Sequence, residues 1–305
     1  LRRQLRQLQL VAEQPLADLV AAPGKDTVLE ASGVVARGRD CFVIFDNFRR
    51  IARIDRSLDP GSRRHGWHGP LRRGEGYEDI AYSAARQRFY LLVEAQKHPD
   101  GTYRAEIEEC DRSGRSLARR WVDVAFAKRN RGFEGLSVVR RNGRDVLLAL
   151  CEGNRCRAGR KGRKPGGGRV HVLEKHANGW RSTAVIKLPR RAAFEDYSAI
   201  DLRGNRVAVV SQQTSKLWLG TLRPRDWTIA GAGRVYEFPR TKKGKRLYCG
   251  VEGIAWLSPT KFVAVSDAAK PDDRTRCRKK SQSIHIFELP AAGRKAAPRA
   301  ALRRR

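Results

Sequence analysis

Hydrophobic positions fall in short clusters along this chain, and turn-forming residues separate them. From Ser32 onward the order is apolar run, turn, apolar run. A first group of runs covers 32–35, 41–45 and 51–54, broken by Gly38 and Pro60-Gly61. A second covers 80–82, 89–93, 103–110 and 117–124. The third is 136–139, 146–151, 169–173 and 181–188, and the fourth is 199–202, 206–210, 216–219 and 233–238. The fifth has only three runs, 254–257, 262–265 and 283–289. Short runs rich in β-branched and aromatic residues, bounded by Gly, Asn, Asp and Pro, predict strands. No segment carries a long helical period. Residues 1–8 read as a basic, helix-compatible segment, and 9–14 as a strand ended by Pro15. The Ala-, Arg- and Pro-rich tail 291–305 predicts disorder. One all-β domain over 9–290 follows.

The groups also begin alike. Asn130-Arg131-Gly132-Phe133-Glu134-Gly135-Leu136 contains an acid, a small residue and an apolar run. Tyr77-Glu78-Asp79-Ile80 and Val251-Glu252-Gly253-Ile254 repeat the acid and the apolar run. Ala31-Ser32-Gly33-Val34 and Tyr197-Ser198-Ala199-Ile200 carry serine in place of the acid. In register, the first position reads Ser32, Glu78, Glu134, Ser198, Glu252, with spacings of 46, 56, 64 and 54 residues. A period near 50 with four strands per unit predicts a β-propeller. Five blades are expected, six being the alternative if the N-terminal residues hide a degenerate blade. The strand at 9–14 would complete the last blade beside 283–289 and close the ring.

A second polar column stands at the end of each second strand: Asp46, Glu94, Glu152, Gln212 and Asp267. In a propeller the first strand lines the axis, and its start lies on the same face as the end of the second strand. Two rings of oxygen donors would therefore share one channel mouth. Carboxylates crowded there repel one another unless they take up protons or a cation. Donors that are all oxygen select a hard ion, and Ca2+ tolerates an irregular set. Against this stands the plain reading, in which each side chain merely hydrogen-bonds neighbouring backbone.

Charge adds a partner to the picture. The net charge is +32, with 64 Lys and Arg against 32 Asp and Glu in 305 residues. Such a field favours anionic partners, among them phosphorylated small molecules and nucleic acid. The loops at 155–169 and 270–280 are the most basic of those on the expected channel face. Gly166-Gly167-Gly168 lacks the GK[ST] ending of a P-loop. Aromatic residues are spread as core would be, which supports an RNA-stacking platform weakly. His65 and His68 read as loop histidines, and no GxSxG nucleophile motif is present. No apolar run is long enough to cross a bilayer, and no signal peptide is visible. Of six cysteines, Cys151 with Cys156 and Cys249 with Cys277 are candidate disulfides, whereas Cys41 and Cys110 are expected as unpaired core thiols. Pairing would imply a secreted or periplasmic protein, and its absence a cytoplasmic one. Zinc lacks support, since there is no CxxC and no histidine cluster.

The Ser, Glu, Glu, Ser, Glu column resembles the calcium site of the calcium-activated nucleotidase (apyrase) family, a five-bladed propeller. The segment from Asn130 to Leu136 also resembles a motif of the esterase-like phytase domain. The resemblance covers the blade framework, about 28–290, and implies Ser32, Glu78, Glu134, Ser198 and Glu252 as calcium ligands. A calcium-dependent hydrolase of phosphate esters or anhydrides is then expected. Asp46, Glu94, Glu152 or Asp267 would activate water, and Arg157 or Lys270 would hold the phosphate. The alternative is a non-catalytic propeller with a structural calcium ion and an anionic partner. Glu108 is expected on an outer strand, outside the column.

Overall fold

The computed structural model describes residues 5–24, 27–72, 74, 76–129, 131–270 and 275–291. Asn130, the tail 292–305 and part of the 270–280 loop lie outside these residues. The strands are β1 (Arg6–Gln7), β2 (Gln9–Pro15), β3 (Ala31–Arg37), β4 (Asp40–Phe45), β5 (Arg49–Asp55) and β6 (Gly66–Arg72). They continue with β7 (Tyr77–Ser83), β8 (Arg88–Lys97), β9 (Tyr103–Asp111), β10 (Ser116–Phe126), β11 (Phe133–Arg141), β12 (Arg144–Cys151), β13 (Arg169–His176) and β14 (Gly179–Lys187). Then follow β15 (Ala199–Arg203), β16 (Arg206–Ser211), β17 (Lys216–Arg223), β18 (Thr228–Glu237), β19 (Val251–Trp256), β20 (Lys261–Ser266) and β21 (Ser283–Glu288). The described α-helices are single turns, α1 (Gly159–Gly162) and α2 (Thr275–Arg278).

The strands run as antiparallel meanders of four, β3 to β6, β7 to β10, β11 to β14, β15 to β18, and β19 to β21 with β2, and a parallel pairing of β10 with β14, Val122 opposite Trp180, joins the second and third into one eight-stranded sheet. Each first strand packs against the first strand of the next unit, and β19 returns to β3. The five inner strands β3, β7, β11, β15 and β19 thus ring one axis. Residues from all five line a cavity of about 210 Å³, among them Val35, Tyr82, Ser137, Asp201 and Trp256. The result is a β-propeller closed by an N-terminal strand.

Burial explains why the second strands read as unbroken apolar runs. A blade inside a ring has a neighbour on both faces, so alternate side chains enter two different cores. Val43 and Phe45 join the cluster shared with the fifth blade. Phe42 and Ile44 join the one shared with the second. The other three clusters lie between the second and third, third and fourth, and fourth and fifth blades. Outer strands see less of this packing. In β6 most residues are only partly covered, which is why its Gly-, His- and Pro-containing sequence did not read as a strand. His68 therefore lies on an outer strand, with Nε2 3.0 Å from the Arg112 carbonyl. Residues 6–7 are not helical either. They pair in parallel with β18, and Leu8 beside them is buried.

Ring closure pairs β2 with β21 antiparallel, Gln9 opposite Glu288 and Gln14 opposite Ile284. A charged network backs this seam. Glu13 lies 3.4 Å from His285 Nδ1 and accepts from the Tyr248 hydroxyl at 3.3 Å, and Lys280 pairs with its other oxygen. Ser266 Oγ lies 3.0 Å from His285 Nε2. Burial lowers the His285 pKa, with the Glu13 contact opposing. The His285 contact, then Lys280, pull the Glu13 pKa down to about 2 despite partial burial.

Both candidate disulfides are present. Cys151 and Cys156 are joined with Cα atoms 5.1 Å apart, and Cys249 and Cys277 with Cα atoms 5.5 Å apart. Cys41 and Cys110 are free and buried. Two disulfides are compatible with an extracellular or periplasmic location. No described helix is long and apolar enough to cross a membrane.

The seam generates a testable expectation. Glu13→Gln removes a charge-assisted contact and should cost on the order of 1.5 kcal/mol at neutral pH. Because the folded pKa is depressed, the contribution is present above about pH 4.5 and lost as pH falls toward about 2. Urea unfolding of the parent and Glu13→Gln should therefore converge across that interval. A stability gap that stays constant down to pH 2 would refute the assignment.

Candidate functional site

Four inner strands begin with a bulge. In β3, Ala31 faces Phe45 and Gly33 faces Ile44, so Ser32 is the extra residue. The same shift isolates Glu78 in β7, Glu134 in β11 and Glu252 in β19. A bulge re-aims the side chain it frees. Ser198, just before β15, donates its backbone N–H to Val210, the residue that also faces Ala199. The first column is thus the bulge position of four blades and the residue just before β15 in the other.

The residue after the bulge must be small where neighbouring strands touch. A Cβ on Gly135 would lie 2.9 Å from the Ile200 nitrogen, and one on Gly253 2.9 Å from the Gly33 Cα. In the second blade this position holds Asp79, which is buried and accepts from Ile80 N at 2.8 Å and from Leu136 N of the next blade at 2.7 Å. Asp201 does the same between β15 and β19, accepting from Leu202 N at 2.7 Å and Trp256 N at 2.8 Å. Desolvation raises both carboxyl pKa values, that of Asp201 to about 6. These two aspartates are staples between blades.

The second column is placed by a recurring backbone bond. Asp46, Glu152 and Asp267 donate N–H to the carbonyls of Glu30, Gly132 and Gly250, two residues before each bulge. Glu94 sits at a register shift within β8. The two columns meet electrostatically. Burial, then Glu94 and Glu252, raise the Glu78 pKa well above the usual range, and a hydrogen bond joins Glu78 to Glu134. Glu134 is raised by burial, then by Glu78 and Glu152. Glu252 is raised by burial, then by Asp267, with Lys270 opposing. Asp46 is pushed up to about 8 by burial and then Asp267, and Glu94 to about 7 by burial and then Glu152. Asp46 Oδ1 is buried with no hydrogen-bond partner among the described residues.

The serines behave differently. Ser32 Oγ donates to the Tyr77 carbonyl, and Ser198 Oγ to the Val251 carbonyl at 2.9 Å. Each ties its blade to the next one. Their blades carry an acid two residues earlier, Glu30 and Asp196, where the other three blades carry Gly76, Gly132 and Gly250. Glu30 hydrogen-bonds Asp46. Asp196 accepts from Ser211 Oγ and Gln213 N and feels the charge of Glu152. The exchange of Ser plus acid for Glu plus Gly was visible in the repeat, but only once the bulge defined which positions share a face.

On the rim, Arg131 pairs with Glu152. No described contact joins Arg157 to the carboxylates. Lys270, Arg246, Arg276, Gln212 and Asp267 line a cavity of about 210 Å³. A wider cavity of about 790 Å³ lies at the opposite ends of the strands, between the second and third blades, and contains no column residue. Glu108, expected on an outer strand, lies on β9, between β8 and β10. It is buried, accepts from the Tyr77 hydroxyl at 2.9 Å and pairs with Arg72 at 3.4 Å.

No protein-family model and no curated protein matches the chain. The fold is similar to that of Myxococcus xanthus glutaminyl cyclase, with a TM-score of 0.53 and 12% identity over 94% of this chain and 99% of that one. The PQQ-bound aldose sugar dehydrogenase of Streptomyces coelicolor gives a TM-score of 0.44 at 12% identity, over 91% and 98% of the two chains. The WD40 repeats of RRP9 give 0.46 at 13%, over 93% and 100%. Identities this low speak for the fold alone.

The close approach of inner strands makes a prediction. Gly135→Ala should destabilise by roughly 1–3 kcal/mol, because its Cβ meets backbone that cannot move aside. Gly132→Ala, whose Cβ would find its nearest atom at 3.5 Å, should change stability by less than about 0.5 kcal/mol. Equal denaturation midpoints for the two variants would contradict the packing described.

Proposed function

We propose that the axial carboxylates hold a hard divalent cation, calcium, and that the protein hydrolyses a phosphate ester or anhydride at this mouth. What carries this reading is the meeting of the two columns beside a pocket walled by Arg246, Lys270 and Arg276. The donor set fits a hard ion, being all oxygen, and Asp46 Oδ1 has no hydrogen-bond partner among the described residues. Among the described residues, no three of these carboxylates bring one oxygen each within 4.8 Å of one another. Water would therefore complete the shell around direct ligands drawn from Glu78, Glu134 and Glu252. Ser32 and Ser198, whose hydroxyls serve inter-blade bonds, fit a supporting place better than a direct one.

A bound cation would offset the crowded negative charge and polarise a phosphoryl oxygen or a water. Lys270, Arg246 and Arg276 supply the positive wall that orients a phosphate. Asp46 and Glu94, beside the first column, are the groups placed to take a proton from the attacking water. Arg131 holds Glu152 and so fixes that side of the mouth. This reading agrees with the apyrase-like and phytase-like pattern of the column.

A second reading is favoured by the two serine tethers. In it the ion is structural and the basic rim binds an anionic ligand without turnover.

Glu134→Gln keeps the shape and removes one charge. It should weaken calcium affinity about tenfold or more and reduce the calcium-dependent rise in melting temperature by ligand linkage. Asp226→Asn, in the exposed turn between β17 and β18, is the control. Equal calcium stabilisation of Glu134→Gln and the parent would remove the column as the calcium site. On a panel of phosphate monoesters, diesters and anhydrides, calcium-dependent turnover is expected. Asp46→Asn should lower it about 100-fold or more. Calcium stabilisation without turnover on any substrate would leave the structural reading standing instead.

A further inference from the structure

Zinc has no support in the linear spacing of Cys and His, yet the fold brings three soft donors together. Cys151 ends β12, and His171 lies on β13 opposite Ala149, in the adjoining strand. Cys156 closes the short turn after β12, and its Sγ is 3.4 Å from His171 Nε2. One donor atom from each of Cys151, Cys156 and His171 lies within 4.8 Å of the other two, and no other described group of three or more His, Cys, Asp and Glu does so. The far ring nitrogen, His171 Nδ1, is 2.8 Å from Ser182 Oγ. That contact leaves Nε2 facing the sulfurs and sets the imidazole orientation, as outer partners of metal-bound histidines do.

The turn itself is held in two ways. Arg155 and Cys156 both have positive φ, 57° and 53°. Two consecutive side-chain-bearing residues in the left-handed region cost energy and need support. The disulfide supplies part of it. Asn154 supplies the rest. It is buried, donates to Gly162 O at 2.8 Å and Phe194 O at 3.1 Å, and accepts from Gly167 N at 2.7 Å. With the disulfide open, Asn154 still pins the turn, so Cys156 stays near His171 while its own backbone relaxes.

We propose that Cys151, Cys156 and His171 form a zinc site when this disulfide is reduced. The reductant is a dithiol of the thioredoxin-like class. Two electrons and two protons pass from the dithiol to the Cys151–Cys156 bond, giving two thiols and an oxidised dithiol. Zinc binding then displaces the two thiol protons, and both sulfurs coordinate as thiolates. Two thiolates and one imidazole are soft and borderline donors that select zinc over calcium. A fourth position is left for water, as in sites with three protein ligands. Glu152 follows Cys151 directly, so oxidation state and metal content at this turn bear on one wall of the axial mouth. The proposal does not depend on calcium or on phosphate chemistry there.

Co2+ is the probe, since thiolate coordination gives it a near-ultraviolet charge-transfer band, and zinc competes it away. Protein reduced with a phosphine should bind one zinc-displaceable Co2+, and oxidised protein none. Reduced His171→Ala keeps every thiol but should bind at least about tenfold more weakly. Reduced Cys156→Ser should lose the band. Variants at Cys249 and Cys277 should keep it. Equal affinity in reduced His171→Ala and parent would overturn the site. So would absence of the band in reduced parent, or loss of its native β signal on reduction, because the site needs the Asn154-held turn.

Discussion

Five inner strands share one axis, and their spacing there is set by the residue after each bulge. Gly33, Gly135 and Gly253 let neighbouring backbones touch, while Asp79 fills the gap between β7 and β11 with two hydrogen bonds to backbone. The bulge one residue earlier turns Ser32, Glu78, Glu134 and Glu252 out of the strand pairing. Close strands and freed side chains together force like charges into one small space. The raised pKa values of Glu78, Glu134 and Glu252 are the direct consequence, with burial as the larger cause. A mouth built this way is unstable toward full ionisation and has reason to accept a proton or a cation.

The remainder of the fold supports this arrangement from outside. Each of the five apolar clusters lies between two blades, so every blade is a wedge held on both faces. Wedges hold a ring only if the ring is closed. β2 closes it by pairing with β21, and Glu13, His285 and Lys280 reinforce the seam. The hydroxyls of Ser32 and Ser198 add inter-blade bonds close to the axis. Electrostatic strain at the centre is thus borne by packing between blades and by closure at the rim.

Charge is distributed around the mouth with some regularity. Blades whose first-column residue is Ser carry Glu30 or Asp196 two positions earlier, and blades whose first-column residue is Glu carry Gly there. Each blade therefore brings at least one carboxylate to the same face by one of two routes. The rim is uneven by comparison. Arg131 meets Glu152 directly, and Lys270 with Arg246 and Arg276 surrounds the Asp267 side.

The amino-acid sequence by itself determined the repeat, the all-β class, closure by the strand at 9–14 and the two polar columns. It could do so because two-sided burial makes second strands uniformly apolar, and because a polar residue ahead of an apolar run recurs at the head of each group. Cys249 and Cys277 were legible as a candidate pair because the repeat puts their two loops on one face, and Cys151 and Cys156 because they flank one short loop. Other features were settled only by tertiary structure. β6 is an outer strand with little burial, so its composition gives no strand signal. Glu108 was misplaced because Tyr77 and Arg72, its partners, come from other strands. Glu30 and Asp196 join the mouth through backbone register that no linear pattern reveals. His171 reaches Cys156 across a strand pair, which no CxxC-type spacing encodes. In each case the deciding quantity is a distance between residues far apart in the chain, and packing sets it.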